Sequence, residues 1–103
     1  MTTLLRGTAL RYVLTDTLTR NGRMTVTELV EELARLGFAV PGRPSKTVSD
    51  ALRWEVLKGR VYPRGRGRYG PGEMPRSTEY RIGKRVAALR KQALRELALR
   101  DGT

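Results

Sequence analysis

The sequence predicts a mainly α protein with a small β-hairpin, and three observations carry that prediction. Thr25 to Lys58 reads as two helices with marked ends joined by a turn. The stretch RVYPRGRGRYGPG that follows has the turn chemistry of a hairpin. Residues 77–100 then carry an apolar stripe at helical spacing. With 103 residues, the chain is long enough for one small domain with a single core.

In chain order, residues 3–20 form the first expected helix. Leu10, Val13, Leu14, Thr17 and Leu18 recur at core-facing spacing, and Asn21-Gly22 supplies turn chemistry at its end. Leu5, Ala9 and Tyr12 make a second stripe, which either packs against the C-terminal helix of the same chain or forms a subunit interface. Arg23-Met24-Thr25 fits a short edge strand. In the second helix Thr25 and Glu28 stand at capping-box spacing, with Met24 and Leu29 as a hydrophobic staple. Leu29, Val30, Leu33 and Leu36 form its apolar face, Gly37 suits the left-handed C′ position, and Phe38 can reach back to Leu33.

A long turn, Gly37 to Pro44, leads to the third helix, with Ser45 as expected N-cap and Gly59 as C′ residue. Val48, Ala51, Leu52 and Val56 make its apolar face. Lys46, Ser49, Asp50 and Arg53 fall opposite, with Leu57 behind them. Trp54 is expected to pack under the turn or the hairpin rather than to stack on a base. Val61-Tyr62 and Arg68-Tyr69 then read as two short strands around a Gly65-Arg66-Gly67 tip, where glycine allows a tight turn and close approach to another surface. In residues 77–100 Ile82, Val86, Leu89, Ala93 and Leu97 form a continuous stripe, which favours a helix. The alternation of Thr78, Tyr80 and Ile82 with Glu79 and Arg81, ended by Gly83, would also suit a strand.

Composition narrows the function. There is no Cys and no His, so disulfides, thiolate zinc sites, Ser–His and Cys–His nucleophiles and imidazole acid–base chemistry are unavailable. The acidic residues are scattered beside arginines. An enzyme is therefore not expected, and neither a metal nor a cofactor. No apolar run is long enough for a membrane helix and Arg6 and Arg11 interrupt any signal-like segment, so a cytoplasmic protein is expected. The net charge of +11 favours an acidic polymer as partner. It is uneven: +1 over residues 1–40 (five basic, four acidic), +6 over 41–76 (nine and three) and +4 over 77–103 (seven and three).

The order helix, short strand, helix, turn, helix, basic hairpin resembles a winged helix-turn-helix DNA-binding domain. The resemblance covers about residues 8–71 and rests on TVTELVEELARLG, SKTVSDALRWEVLKGR and VYPRGRGRY. The long turn departs from the shortest helix-turn-helix form. The resemblance implies that Ser45–Lys58 enters the major groove and that a wing near Arg64–Arg68 touches the backbone or minor groove. Residues 1–76 would be the DNA-binding domain and 77–103 an added C-terminal helix for packing or dimerisation. Lys46, Ser49 and Arg53 are the base-edge candidates. Arg43, Arg60, Arg64, Arg66 and Arg68 are the backbone or wing candidates, and Ser45, Thr47, Asp50 and Lys58 complete the candidate DNA-binding set.

The expected function is double-stranded DNA binding as a nucleoid-associated transcriptional regulator. A homodimer is expected through Leu5, Ala9 and Tyr12 of the first helix and Ile82, Val86, Leu89, Ala93 and Leu97 of the last. Two alternatives stand beside it: a nonspecific nucleoid-type architectural protein, and a winged-helix module that holds a protein partner, such as an antitoxin or phage-type adaptor. RNA is a weaker candidate, because beyond Tyr62 and Tyr69 few exposed aromatics are expected for base stacking.

Overall fold

The computed structural model describes residues 2–101. Four helices carry the core: α1 (Gly7–Asn21), α2 (Val26–Arg35), α3 (Pro44–Leu57) and α4 (Arg76–Asp101). Five short strands join them: β1 (Thr3–Leu4), β2 (Met24–Thr25), β3 (Phe38–Ala39), β4 (Val61–Pro63) and β5 (Arg68–Pro71). β2, β5 and β4 form a three-stranded antiparallel sheet in that order, with Met24 opposite Tyr69 and Tyr62 opposite Gly70. β4 lies at its edge, where Pro63 and its missing N–H are tolerated.

Local chemistry sets the helix ends. The Thr25 side chain accepts from the Glu28 N–H (3.1 Å), and the Glu28 carboxylate accepts from the Thr25 N–H (2.8 Å), so the capping box starts α2. The Thr25 N–H bonded to it holds the Glu28 carboxyl below its usual pKa. Gly37 takes φ 88°, and its N–H donates to Ala34 O (3.0 Å). Gly59 takes φ 75° and turns the chain from α3 into β4. α3 begins one residue before the Ser45 cap expected from sequence. Pro44 occupies the first turn, where its missing N–H costs nothing, and Arg43 is the N-cap, with no side-chain bond.

One expectation at the start of the chain is corrected. The first helix starts at Gly7, not at residue 3. Thr3 and Leu4 instead pair in parallel with Phe38 and Ala39, and the Leu5 N–H donates to Ala39 O (2.7 Å). Gly7, at φ 57°, cannot continue a right-handed helix upstream. That pairing places β3 inside the long turn after α2.

The helices share one apolar core. α1 lies at its centre, packed against α3 on one side and α4 on another, while α2 packs on α3. This overturns the expected dimer interface. Leu5, Ile82, Val86, Leu89 and Ala93 are all buried within the single chain. Ala9 and Tyr12 pack against the same core, and Leu97 lies over Gly37. Tyr12 faces Arg60, Leu97 the turn at Gly37, and the buried stripe of α4 the core, so these positions are occupied within one chain. Residues 76–101 are one continuous helix, which settles the helix-or-strand alternative for residues 77–83.

After β5 the chain doubles back onto the α3–β4 turn. The Gly72 N–H donates to Arg60 O (2.9 Å), and the Glu73 N–H to Gly59 O (3.1 Å). A Cβ at Gly72 would stand 2.3 Å from Gly59 O and 2.9 Å from Val61 N, against backbone that cannot swing aside. Gly72→Ala should therefore destabilise the fold by about 1–3 kcal/mol in urea unfolding, through forced backbone displacement. A midpoint equal to wild type would refute this close approach.

Candidate nucleic-acid interface

α3 presents two chemically distinct faces. At 100° per residue Val48, Ala51, Leu52 and Glu55 cluster on one side, and all four are buried. Lys46, Asp50, Arg53 and Leu57 lie opposite, with Ser49 at one margin and Trp54 at the other. Lys46, Arg53 and Lys58 are exposed, as are Arg43 and Ser45 where the helix begins. Ser49, Thr47 and Asp50 are half-buried. The Thr47 hydroxyl donates to Pro41 O (2.6 Å) and so braces the turn rather than standing free. Lys46 Nζ donates to Asp50 Oδ2 (2.9 Å), which holds the Asp50 carboxyl below its usual pKa. That exposed pair is easily exchanged for another anion.

The hairpin supplies the second group of cations. Its tip is closed by Arg64 N–H to Arg68 O (2.8 Å), with Gly65 and Gly67 both at positive φ. Arg64, Arg66 and Arg68 are exposed. Arg64 is held in place: its side chain lies across Gly70, where a Cβ would come within 3.0 Å of Arg64 Cγ, and its guanidinium sits 5.6 Å from the Tyr62 ring centroid. No Asp or Glu occurs from Val56 to Gly72. Among the described residues Lys58, Arg64, Arg66 and Arg68 make no ion pair.

Arg60 is the exception, and it leaves the candidate interface. Its Nε donates to Glu55 Oε1 (2.9 Å) and its Nη2 to Glu55 Oε2 (2.8 Å). The Thr15 hydroxyl donates to Glu55 Oε1 (2.5 Å), and Arg11 Nε lies 3.8 Å from Oε2. Tyr12 covers the Arg60 guanidinium at 5.8 Å. The Glu55 side chain is wholly buried and the Arg60 side chain only 12% exposed. Glu55 holds the Arg60 pKa above its ordinary value, so this Arg stays charged and engaged inward. Sequence reasoning missed the cluster. Its trace was present: Glu55 follows Val48 by seven residues and Ala51 by four, in the middle of the apolar face.

Trp54 also departs from expectation. It packs under neither the turn nor the hairpin and is 57% exposed, at the rim of a groove lined by Arg6, Leu10, Arg11, Pro41 and Thr47. Leu57 is 79% exposed. A separate polar cleft between α1, α2 and α4 holds two ion pairs and Arg90. Arg20 pairs with Asp16 (2.9 Å) and Arg35 with Glu32 (2.5 Å), and burial pushes the Asp16 carboxyl up. The described residues contain no His/Cys/Asp/Glu group suited to a metal ion, and none of their helices is long and apolar enough to cross a membrane.

Comparison with protein-family models, with curated proteins and with solved structures finds no match to this chain.

Removing one partner of the Glu55–Arg60 pair strands a charge in the core. Glu55→Ala should cost roughly 3–5 kcal/mol of unfolding free energy, whereas the apolar double replacement Glu55→Leu with Arg60→Met should recover most of it. Thermal or urea unfolding checks this. Equal losses in the single and double variants would show that packing, not the stranded charge, dominates.

Proposed function

We propose that the chain is a double-stranded DNA-binding protein of winged helix-turn-helix type, acting as a transcriptional regulator. α3 is its major-groove helix and the β4–β5 hairpin its wing. One observation carries this: an acid-free group of exposed, unpaired cations on a glycine-tipped hairpin directly follows a helix with Lys46, Ser49 and Arg53 on its outward side. Arg66, at the tip between two glycines, can approach a phosphate or a narrow minor groove closely. Arg53 is the strongest donor for a guanine edge, and Ser49 is short enough to reach a base beside it. At the start of α3, Arg43, Ser45 and Lys46 surround backbone N–H groups that no side chain caps, an arrangement suited to a backbone phosphate. Arg60 and Thr47 support this surface from within and do not contact DNA.

A second function is favoured by one specific observation. Trp54 and Leu57 are exposed on or beside the outward face of α3, a combination also suited to a protein partner. Such a partner would remain bound after nuclease treatment and would be lost in Trp54→Ala, while duplex binding would not need Trp54.

Arg53→Ala should weaken the preferred duplex by about 1–3 kcal/mol and relax selectivity at one base pair, measured by fluorescence anisotropy on selected and scrambled duplexes. An equal loss on every sequence would make Arg53 a phosphate contact. Arg66→Ala should weaken all duplexes alike and reduce the slope of log K against log salt by about 0.9. An unchanged slope would remove the hairpin from the interface.

A further inference from the structure

The outward side of α4 is a second cationic surface. Arg81, Lys84, Arg85, Lys91 and Arg95 are all exposed. At 100° per residue Lys84, Lys91 and Arg95 lie opposite the buried Ile82, Val86, Leu89 and Ala93, with Arg81 beside them and Arg85 at the flank of the same face. No Asp or Glu occurs from Tyr80 to Arg95, and among the described residues none of the five cations makes an ion pair. From Arg81 to Arg95 the stripe is about 21 Å long, at about 1.5 Å per residue. Duplex DNA carries one charge per about 1.7 Å of axis, so a stripe of this length can lie along several phosphates.

This surface is separate from α3 and the hairpin. Thr15 and Arg11 of α1 face Glu55 of α3. Asp16 and Val13 of α1 instead line the cleft with Val86 and Arg90 of α4, and Asp16 Oδ1 lies 4.0 Å from the Cβ position of Gly83. α1 thus stands between the two helices, and their solvent faces point away from each other.

We propose that the α4 face binds a second duplex, so that one chain bridges two DNA segments. This rests on α3 and the hairpin holding the first. This charge complements a duplex and an anionic membrane alike, and the apolar surface decides for the duplex. A helix lying in a membrane surface must insert a broad apolar face; the continuous apolar stripe of α4 is buried in the core, and the exposed Tyr80, Leu94 and Leu99 are too dispersed along the helix to make one.

A capture assay tests the bridge. The full chain is bound to a bead-tethered duplex, a fluorescent second duplex is added, and retention is measured at increasing salt. The comparison variant is Lys84→Gln, Arg85→Gln, Lys91→Gln and Arg95→Gln, four exposed changes with helix content checked by circular dichroism. Wild type should retain the second duplex, with an affinity that falls by about two orders of magnitude between about 50 and 200 mM salt. The variant should bind the tethered duplex as wild type does and lose the second.

Retention by the variant would overturn the proposal and assign bridging to self-association. Wild type that binds one duplex and never a second would overturn it while leaving the α3 function standing. Loss of all duplex binding in the variant, with Arg53→Ala/Arg66→Ala binding normally, would overturn both and make α4 the primary interface. Variant-sensitive binding to phosphatidylglycerol vesicles, with no second duplex retained, would overturn it in favour of a membrane.

Discussion

The buried carboxylate of Glu55 ties three parts of the molecule together. It accepts from Thr15 of α1 and from Arg60 at the base of the hairpin, while its own backbone belongs to α3. Enclosed ion pairs of this kind recover little more than their desolvation cost, so net stability is a poor account of its role. What it defines is direction. Arg60 follows the left-handed turn at Gly59, and its N–H donates to Glu55 O (3.1 Å). With the guanidinium bonded to the carboxylate at two points, the first residue of the hairpin is held through both backbone and side chain. A hairpin held so near its root can carry cations at its tip with a defined position relative to α3.

The same arrangement sorts the charges. Arg60 is turned inward, and Arg20 and Arg35 are matched by Asp16 and Glu32 in the α1–α2–α4 cleft. Among the described residues, Lys58, Arg64, Arg66 and Arg68 around the hairpin and Arg81, Lys84, Arg85, Lys91 and Arg95 on α4 make no ion pair, and Arg43 and Arg53 of α3 join them. Like charges gathered on those surfaces produce a field that opposed neighbours would otherwise cancel, and such a field acts on a polyanion before contact. Arg64 shows a local refinement: stacked near Tyr62 and laid across Gly70, it loses less side-chain freedom when it meets a phosphate than a free arginine would.

Much of this was legible where the chemistry is local. Thr25 with Glu28, Gly37, Gly59 and the Gly65–Gly67 tip each announce a turn or helix end within four residues, and each forms as expected. β1 and β3 were not legible, because a two-residue parallel pair has too few positions to show a period, and its partners are far apart in sequence. The charge on Glu55 was visible within an apolar face, but its acceptance from Thr15 forty residues away was not. Arg60 therefore looked like one more member of a basic run. The stripes of α1 and α4 were seen correctly as apolar. Periodicity reports that a face is covered, not whether the cover belongs to the same chain. Trp54 failed for a related reason: size and apolarity argue for burial, yet its angular position on α3 places it outside the core.

α4 closes the core and, in doing so, sets where its own charge can go. Covering the second face of α1 uses the Ile82–Val86–Leu89–Ala93 stripe, which leaves Lys84, Lys91 and Arg95 on the side away from α1 while Arg90 stays in the cleft beside it. Net charge of +11 on a chain of 103 residues tends to push a compact state apart. Placing α3 with its hairpin and the outer face of α4 on different sides of α1 limits that repulsion. Exposed charges more than about 8 Å apart at physiological ionic strength are largely screened from one another. A single cationic face holding every unpaired Arg and Lys would attract one polyanion more strongly but would repel itself more. The division across α1 lowers that internal repulsion and leaves two surfaces that can each be neutralised independently.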